Sequence, residues 1–329
     1  MNNHLSRTFL DFERPIGELM AKIDELRLLS DRSDINISNE INRLEDEARN
    51  LTTRIFAKLT AWQKTLLSRH PDRPYSTDYL QRVFTGFREL HGDRHFGDDR
   101  AIMGGLAAID GIEVMVICQE KGRGTKERVL YNFGMPRPEG YRKALRLMKL
   151  AEKFQLPVVT LIDTPGAYPG KEAEERGQSE AIARNLKEMV TLRTPIVSVV
   201  IGEGGSGGAL ALGVGNRVLM MQYAIYSVIS PEGCASILWK DSAKAELAAE
   251  AMRITAEEIM ELGLIDGIIP EPIGGAHRNI EVAAENVRTH VLRHLRDLGK
   301  KTPEQLTEER FKKFMAMGVV LGGDHKPGG

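Results

Sequence analysis

Cysteine is scarce in this 329-residue chain: only Cys118 and Cys234 occur. Both sit in apolar surroundings, so neither a disulfide framework nor a zinc-ligand spacing can be drawn. No apolar run reaches the roughly 18 residues that a membrane span needs. The opening stretch, Met1 to Arg14, mixes polar, acidic and aromatic residues and lacks the apolar segment of a signal peptide. An excess of either charge is also missing, since 45 Lys and Arg face 46 Asp and Glu for a net charge of −1. That balance argues against a nucleic-acid binder relying on bulk positive charge, although a local basic site stays compatible with it. The absences together point to a reducing cytoplasm. What is present is ordinary soluble composition, with 42% hydrophobic and 28% charged residues, enough to bury a real core. The length suits one large domain with helical additions or two modest domains.

The first third reads as helical. Between Ser38 and His70, apolar residues fall at Ile41, Leu44, Ala48, Leu51, Ile55, Leu59 and Trp62, drawing one stripe down a long amphipathic helix. A shorter helix is expected over 16–29, and His70-Pro71-Asp72-Arg73-Pro74 reads as a linker. The apolar stripe needs the rest of the chain or a partner chain to cover it. Further on, strands over 102–109 and 112–118 flank Asp110-Gly111, a dipeptide suited to a tight hairpin turn. A helix over 140–154 precedes the β-branched run 157–163, which is of buried-strand type. Another helix over 174–192 leads to a second buried strand over 195–201. A glycine turn follows, then a helix from about Gly208 and short strands over 217–221 and 226–229. Strands alternating with helices at this spacing predict an α/β domain with a largely parallel sheet, continuing to about Pro270. Helix returns over 275–298, and a last helix starts at Thr302-Pro303-Glu304-Gln305, a capping-box signature. The tail, 322–329, is expected to be disordered. The divisions expected are 1–74 helical, 75–298 the α/β domain, and 299–329 a final helix with its tail.

The segment Gly202-Glu203-Gly204-Gly205-Ser206-Gly207-Gly208 holds five glycines in seven residues. Strand, glycines, then helix is a device for presenting backbone N–H groups to something negative. A dinucleotide fold would want an acidic residue about 20 positions on for the ribose. Between Gly204 and Pro231 there is none. A phosphate-binding NTPase loop is also missed, because the nearest string, Gly166 to Gly170-Lys171-Glu172, is one residue short and carries Glu where a hydroxyl belongs. Three readings stay open. Gly204-x-Ser206-x-Gly208 satisfies a serine-hydrolase elbow, with Asp241, Asp266 and His277 downstream in triad order. An oxyanion hole without a nucleophile needs only the backbone donors. Close packing of helix on strand needs only the absence of side chains.

Longer blocks carry a resemblance. Ile201 to Ala211 around that turn, the run from Asn132-Phe133-Gly134-Met135-Pro136 to Ala144, and Asp163-Thr164-Pro165-Gly166-Ala167-Tyr168-Pro169-Gly170 resemble the carboxyltransferase α subunits of bacterial acetyl-CoA carboxylase. So do Glu174 to Ala183, Ser227 to Trp239, and the opening Phe9 to Glu13. The resemblance implies a crotonase-like (ClpP/crotonase) superhelix of ββα units, with helical extensions at both ends. It implies transfer of a carboxyl group from carboxybiotin to acetyl-CoA to give malonyl-CoA, the first committed step of fatty acid biosynthesis. Biotin would come attached to a separate carrier protein, ATP would be used by a separate biotin carboxylase, and zinc would belong to the β subunit of an α2β2 heterotetramer.

Two anions must then be held, the thioester enolate and the biotin ureido oxygen. By resemblance this chain serves the biotin side, with backbone N–H groups of Gly207 and Gly208 as donors and Gly204 and Gly205 shaping the turn. Gly166, Ala167, Tyr168 and Ala209 are expected to line the biotin pocket, and Lys121, Arg123, Lys126 and Arg128 are candidates for CoA phosphates. Ser206 is then expected not to be a nucleophile. Glu232 is expected to be structural, and the run His91 to Asp99 to be a turn with local ion pairs rather than a metal site.

Overall fold

The structure, a computed structural model, describes residues 8–30 and 38–318, so the expected tail 322–329 lies outside the described residues. A 3-10 turn at Asp11–Glu13 leads into α1 (Arg14–Ser30), which packs on α2 (Ser38–Phe56) through Ile23, Leu44 and Ala48. The single long helix expected to His70 is two. α2 ends at Phe56 and α3 (Ala61–Ser68) starts afresh. The cause is local: Thr60 accepts from the Gln63 N–H while the Gln63 side chain accepts from the Thr60 N–H, a capping box that nucleates a new start. The apolar stripe continues across the break because the spacing does.

The segment 70–74, expected as a linker, is anchored in the core at His70, Arg73 and Pro74, with Pro71 and Asp72 exposed. The Arg73 guanidinium forms a two-pronged pair with Glu271 at 2.7 and 3.0 Å and donates to the Ile201 carbonyl at 2.9 Å. His70 and His277 stack with ring centroids 4.0 Å apart, above Glu13. His70 Nδ1 accepts from the Asp72 N–H and Nε2 donates to the Thr8 carbonyl, so the ring is neutral. Burial, reinforced by His277, pushes its pKa down to about 4, and burial lowers that of His277 as well. Burial works against the Glu13 carboxylate, but His277, the Leu10 N–H and Arg278 outweigh it and hold its pKa at about 2. In the unfolded chain the imidazoles take protons near their ordinary 6.5. Stability is therefore fully present above that value and falls as pH drops from 6.5 towards 4, with Glu13's contribution lost between 4.5 and 2. Urea unfolding at pH 7 and pH 5 is expected to show a lower midpoint at pH 5, and a smaller drop in His70→Gln.

After α4 (Ser76–Val83) come β1 (Thr85–Glu89), β2 (Ile102–Ile109) and β3 (Ile112–Gln119). Asp110 and Gly111 both take positive φ, 49° and 77°, as a tight primed turn requires. The short α5 (Gly124–Leu130) and α6 (Pro138–Lys153) precede β4 (Val158–Thr164). The helix expected over 174–192 is broken into α7 (Lys171–Glu175) and α8 (Gln178–Thr191), because Gly177 turns left-handed at φ 81°. Next are β5 (Ile196–Gly205), α9 (Ser206–Gly213), β6 (Arg217–Met221) and β7 (Ile225–Ser227). The chain continues with α10 (Pro231–Trp239), α11 (Ala245–Met252), α12 (Ala256–Glu261), β8 (Gly267–Ile269), α13 (Ile280–Leu298) and α14 (Pro303–Met315).

The sheet order is β1-β2-β3-β4-β5-β6-β8. β1 to β3 are antiparallel, and β3 to β6 and β8 run parallel. Every residue of β4 and β5 is buried, which is why both begin as β-branched and aliphatic runs, interrupted by Thr160 and Ser198, rather than alternating apolar with charged residues. β5 is longer than expected and bends. Its first half pairs with β4 and β6, while Glu203 to Gly205 pair with β7. α14 is anchored by Arg310, fully buried, whose guanidinium donates to the carbonyls of Met189 (2.6 Å), Leu192 (2.8 Å) and Thr194 (2.8 Å) and to Asn216 Oδ1 (2.5 Å).

Candidate active site

The bend in β5 makes the site. Along β4 the pairing moves from Ile162 to Thr164, while along β5 it moves from Val200 to Gly204, so β5 carries two extra residues. The freed Glu203 N–H is taken by Asp163 Oδ1 at 2.9 Å. Gly202 has to be glycine here, because a Cβ would lie 2.5 Å from that carboxylate oxygen. Similar crowding explains most of the neighbouring glycines. A Cβ would meet the Tyr226 ring at 2.8 Å from Gly204, Pro165 O at 2.3 Å from Gly205, and the Gly166 backbone at 2.7 Å from Gly208. The close-packing reading thus accounts for four of the five. Gly207 is different, since its Cβ would find only Ile182, at an ordinary 3.5 Å.

The helix starts at Ser206, two residues before the expected Gly208, and Ser206 itself is left-handed at φ 51°. No side chain caps α9, and the first-turn N–H groups of any helix lack intrahelical acceptors. The N–H groups of Gly207 and Gly208 lie in that first turn, and the Gly166 backbone of the loop 165–170 abuts it at Gly208. Beside Gly207 opens an apolar cavity of 510 Å³, lined by Leu210, Tyr226, Ile254, Leu264 and Phe314 among others.

The opposite wall is built by Thr164, whose hydroxyl donates to the Gly134 carbonyl at 2.6 Å and accepts from the Gly166 N–H at 3.1 Å. Gly166 and Ala167 abut Gly208. Tyr168 does not stand free: its ring lies under the Arg137 guanidinium at 4.9 Å and against Gly170, and Gln178 donates to its carbonyl. Ala209 is fully buried in the core behind the turn.

Beneath the turn runs a chain of charges that sequence reasoning missed. Lys121 Nζ sits 2.7 Å from Asp163 and 2.6 Å from Glu203, Arg69 Nε 2.6 Å from Glu203, and Arg69 Nη1 2.6 Å from Glu232. Burial alone would discharge Lys121, but Asp163 and Glu203 outweigh it and raise its pKa well above the ordinary value. Burial likewise pushes the Glu203 carboxyl up, and Lys121 and Arg69 overcome this and hold it low. Of the four cations considered for phosphates, Lys121 is thus committed internally, and Arg123 pairs with Asp78 and lies over the Tyr75 ring. Lys126 is exposed and Arg128 half-buried, and neither enters an ion pair among the described residues. Glu232 accepts from Arg69, a structural position.

The hydrolase triad does not assemble. His277 lies against His70 and Glu13, Asp241 caps Ala243, and Asp266 binds the Val218 N–H and Lys313. The run 91–99 is a turn, as expected: Asp93 Oδ1 accepts from the N–H groups of His95, Phe96 and Gly97, and Asp98 pairs with Lys143 at 2.5 Å.

Two solved structures share this architecture. The transcarboxylase 12S hexamer core aligns with a TM-score of 0.56 at 17% identity, covering 76% of this chain and 43% of that one. A Pseudomonas malonate decarboxylase hetero-tetramer in complex with coenzyme A aligns at 0.56 and 17%, covering 71% and 91%. The fold is α/β and crotonase-like, as expected. Sequence similarity reaches much further. The acetyl-coenzyme A carboxylase carboxyl transferase subunit alpha of Methylococcus capsulatus is 64% identical over 94% of this chain and 97% of that protein. Its counterpart from Halorhodospira halophila is 60% identical over 97% and 100%. Residues 9–318 match the family described as acetyl co-enzyme A carboxylase carboxyltransferase-like. With both walls of the glycine site inside that span, the chain belongs to the acetyl co-enzyme A carboxylase carboxyltransferase family, among its alpha subunits.

Proposed function

We propose that this chain forms the biotin-side half of a carboxyltransferase that converts acetyl-CoA to malonyl-CoA. The observation that carries the reading is Gly207, the one glycine of the turn that packing does not require, placed beside an open cavity at an uncapped helix start. When bound, carboxybiotin on its carrier protein supplies the carboxyl group. The residues fit such a guest: the cavity is apolar with Gly207 in its wall, and the first-turn N–H groups of Gly207 and Gly208 suit a ureido oxygen. Gly166 and Ala167 form the facing wall, Gly204 and Gly205 let the two loops meet, and Tyr168 and Ala209 support these walls from behind. The ion chain under Glu203 stiffens the turn, so the donors are set before charge develops, which is what oxyanion stabilisation requires. Lys126 and Arg128 are the cations best placed for CoA phosphates, with Arg123 third because it is shared with Asp78.

The subunit that completes the site is a β chain in an α2β2 assembly, with biotin carrier protein and biotin carboxylase as further partners and zinc on the β chain. Exposed Ile237 and Leu238 on α10 and Val228 before it border the site and form the docking face for that chain. The compartment is the cytoplasm. Among the described residues no helix is long and apolar enough to cross a membrane.

The test is reconstitution: the chain mixed with its β partner, a carboxybiotin donor and acetyl-CoA is expected to yield malonyl-CoA, and a complex that forms without yielding any overturns the reading. Ser206→Ala is expected to keep at least about half of that activity, and a fluorophosphonate probe is expected not to label the wild-type chain. Labelling at Ser206 would restore the hydrolase.

A further inference from the structure

Gln119, the last residue of β3, is completely buried beside the glycine turn. Its side-chain amide spans both walls of the site. Nε2 donates to the Gly208 carbonyl at 2.8 Å, and Oε1 accepts from the Asp163 N–H at 3.2 Å. Its own carbonyl is held by the Ser76 hydroxyl at 2.6 Å, so the residue is fixed at its base as well as at its tip.

Two features separate this contact from ordinary satisfaction of buried groups. First, the β3–β4 ladder ends at the Cys118–Leu161 rung, and the Gln119 side chain supplies the hydrogen bond that the next part of β4 lacks. That end of β4 leads directly into Thr164 and Gly166. Second, the Gly208 carbonyl lies in the first turn of α9, where the helix already offers it the N–H of the residue four positions on. The bond from Gln119 is additional to what the carbonyl requires. It holds the peptide plane that follows Gly208, and because that plane joins the Gly208 N–H through the helical φ and ψ of Gly208, a fixed carbonyl restrains the first turn that carries the donors. An amide that grips β4 with one atom and α9 with the other sets the gap between the facing loops, which already touch at Gly166 and Gly208.

We propose that Gln119 is a positioning residue for the oxyanion donors, acting through Gly208. The proposal rests on the carboxyltransferase reading of the site. Gln119→Leu removes both bonds at nearly constant volume. Thr160→Val is the matched control, because Thr160 is equally buried and donates to the Leu212 carbonyl of the same helix at 2.8 Å, far from its first turn. In the reconstituted complex, Gln119→Leu is expected to lower kcat at least about 10-fold with KM for acetyl-CoA within about 2-fold, since small misplacements of donors act on the transition state. Thr160→Val is expected to keep wild-type kcat while losing thermal stability comparably. Should Gln119→Leu fail to assemble, Gln119→Met, which fills the same space more pliably, is measured in its place. Wild-type kcat in the Gln119 variant, or an equal loss in both variants, would overturn the proposal. A wild-type complex that makes no malonyl-CoA sinks the underlying reading instead, so the two failures are distinguishable.

Discussion

Gly207→Val is expected to fold and assemble as the wild type does, yet make malonyl-CoA at least about 100-fold more slowly. A new Cβ at this position meets only Ile182 at 3.5 Å, so the backbone and its neighbours accept a side chain. The valine γ carbons must then enter the space between Ile182 and the apolar cavity that Gly207 lines, at the first turn of α9. Removing one oxyanion donor typically costs about 3 kcal/mol of transition-state stabilisation, or roughly 100-fold in rate. Gly208→Val is the instructive contrast. Its Cβ would sit 2.7 Å from the Gly166 backbone, forcing the loops apart, so this variant is expected to lose stability along with activity. Steady-state malonyl-CoA formation and thermal melting on the same preparations separate the two. A fully active Gly207→Val enzyme would remove the oxyanion role from this turn.

Arg310→Met is expected to show the largest stability loss, on the order of 3 kcal/mol in urea unfolding. Among the described residues no carboxylate pairs with this buried guanidinium; it is satisfied by carbonyls of Met189, Leu192 and Thr194 and by Asn216. Burial without an anion pushes its pKa down to about 10, which still leaves it charged at neutral pH. Methionine fills the channel but donates nothing, so several buried acceptors go unpaired at about 1–3 kcal/mol each, partly offset by no longer burying a charge. The helix that loosens is α14, which brings Phe314 to the apolar cavity, so activity is expected to fall as well. Unchanged unfolding would mean that the carbonyls find water instead.

What was legible in the sequence followed from local chemistry. β-branched runs of buried-strand type announced β4 and β5, Asp110-Gly111 its primed turn, and Thr302 with Gln305 the start of α14. The glycine turn was placed correctly, but its strand ran on to Gly205, because Asp163, 40 residues earlier, supplies the hydrogen bond that keeps the bulged backbone extended. The edge strand β1 was missed because it is mostly exposed and carries Gly86 and Arg88, and β8 because three residues hold no pattern. Lys121 looked like a free surface cation, and nothing near it in sequence shows the two acids that claim it. Gln119 and Arg310 were invisible for the same reason: a side chain that binds backbone leaves no partner to pattern against.

The pairing of Arg69 with Glu203, and of Arg73 with Glu271, means that the amino-terminal helices are not a detachable appendage. α1 and α2 touch the remainder chiefly through apolar patches, but Glu13, immediately ahead of α1, is buried against Arg278, His70 and His277, so removing this part unpairs Arg278. A cut placed after residue 74 is another matter. It deletes both arginines, leaving Glu271 sealed in the body without its ion-pair partner and Glu203, within the glycine turn, with Lys121 alone. A boundary ahead of Thr60, whose capping box lets α3 begin locally, keeps both arginines but gives up the Glu13–Arg278 pair.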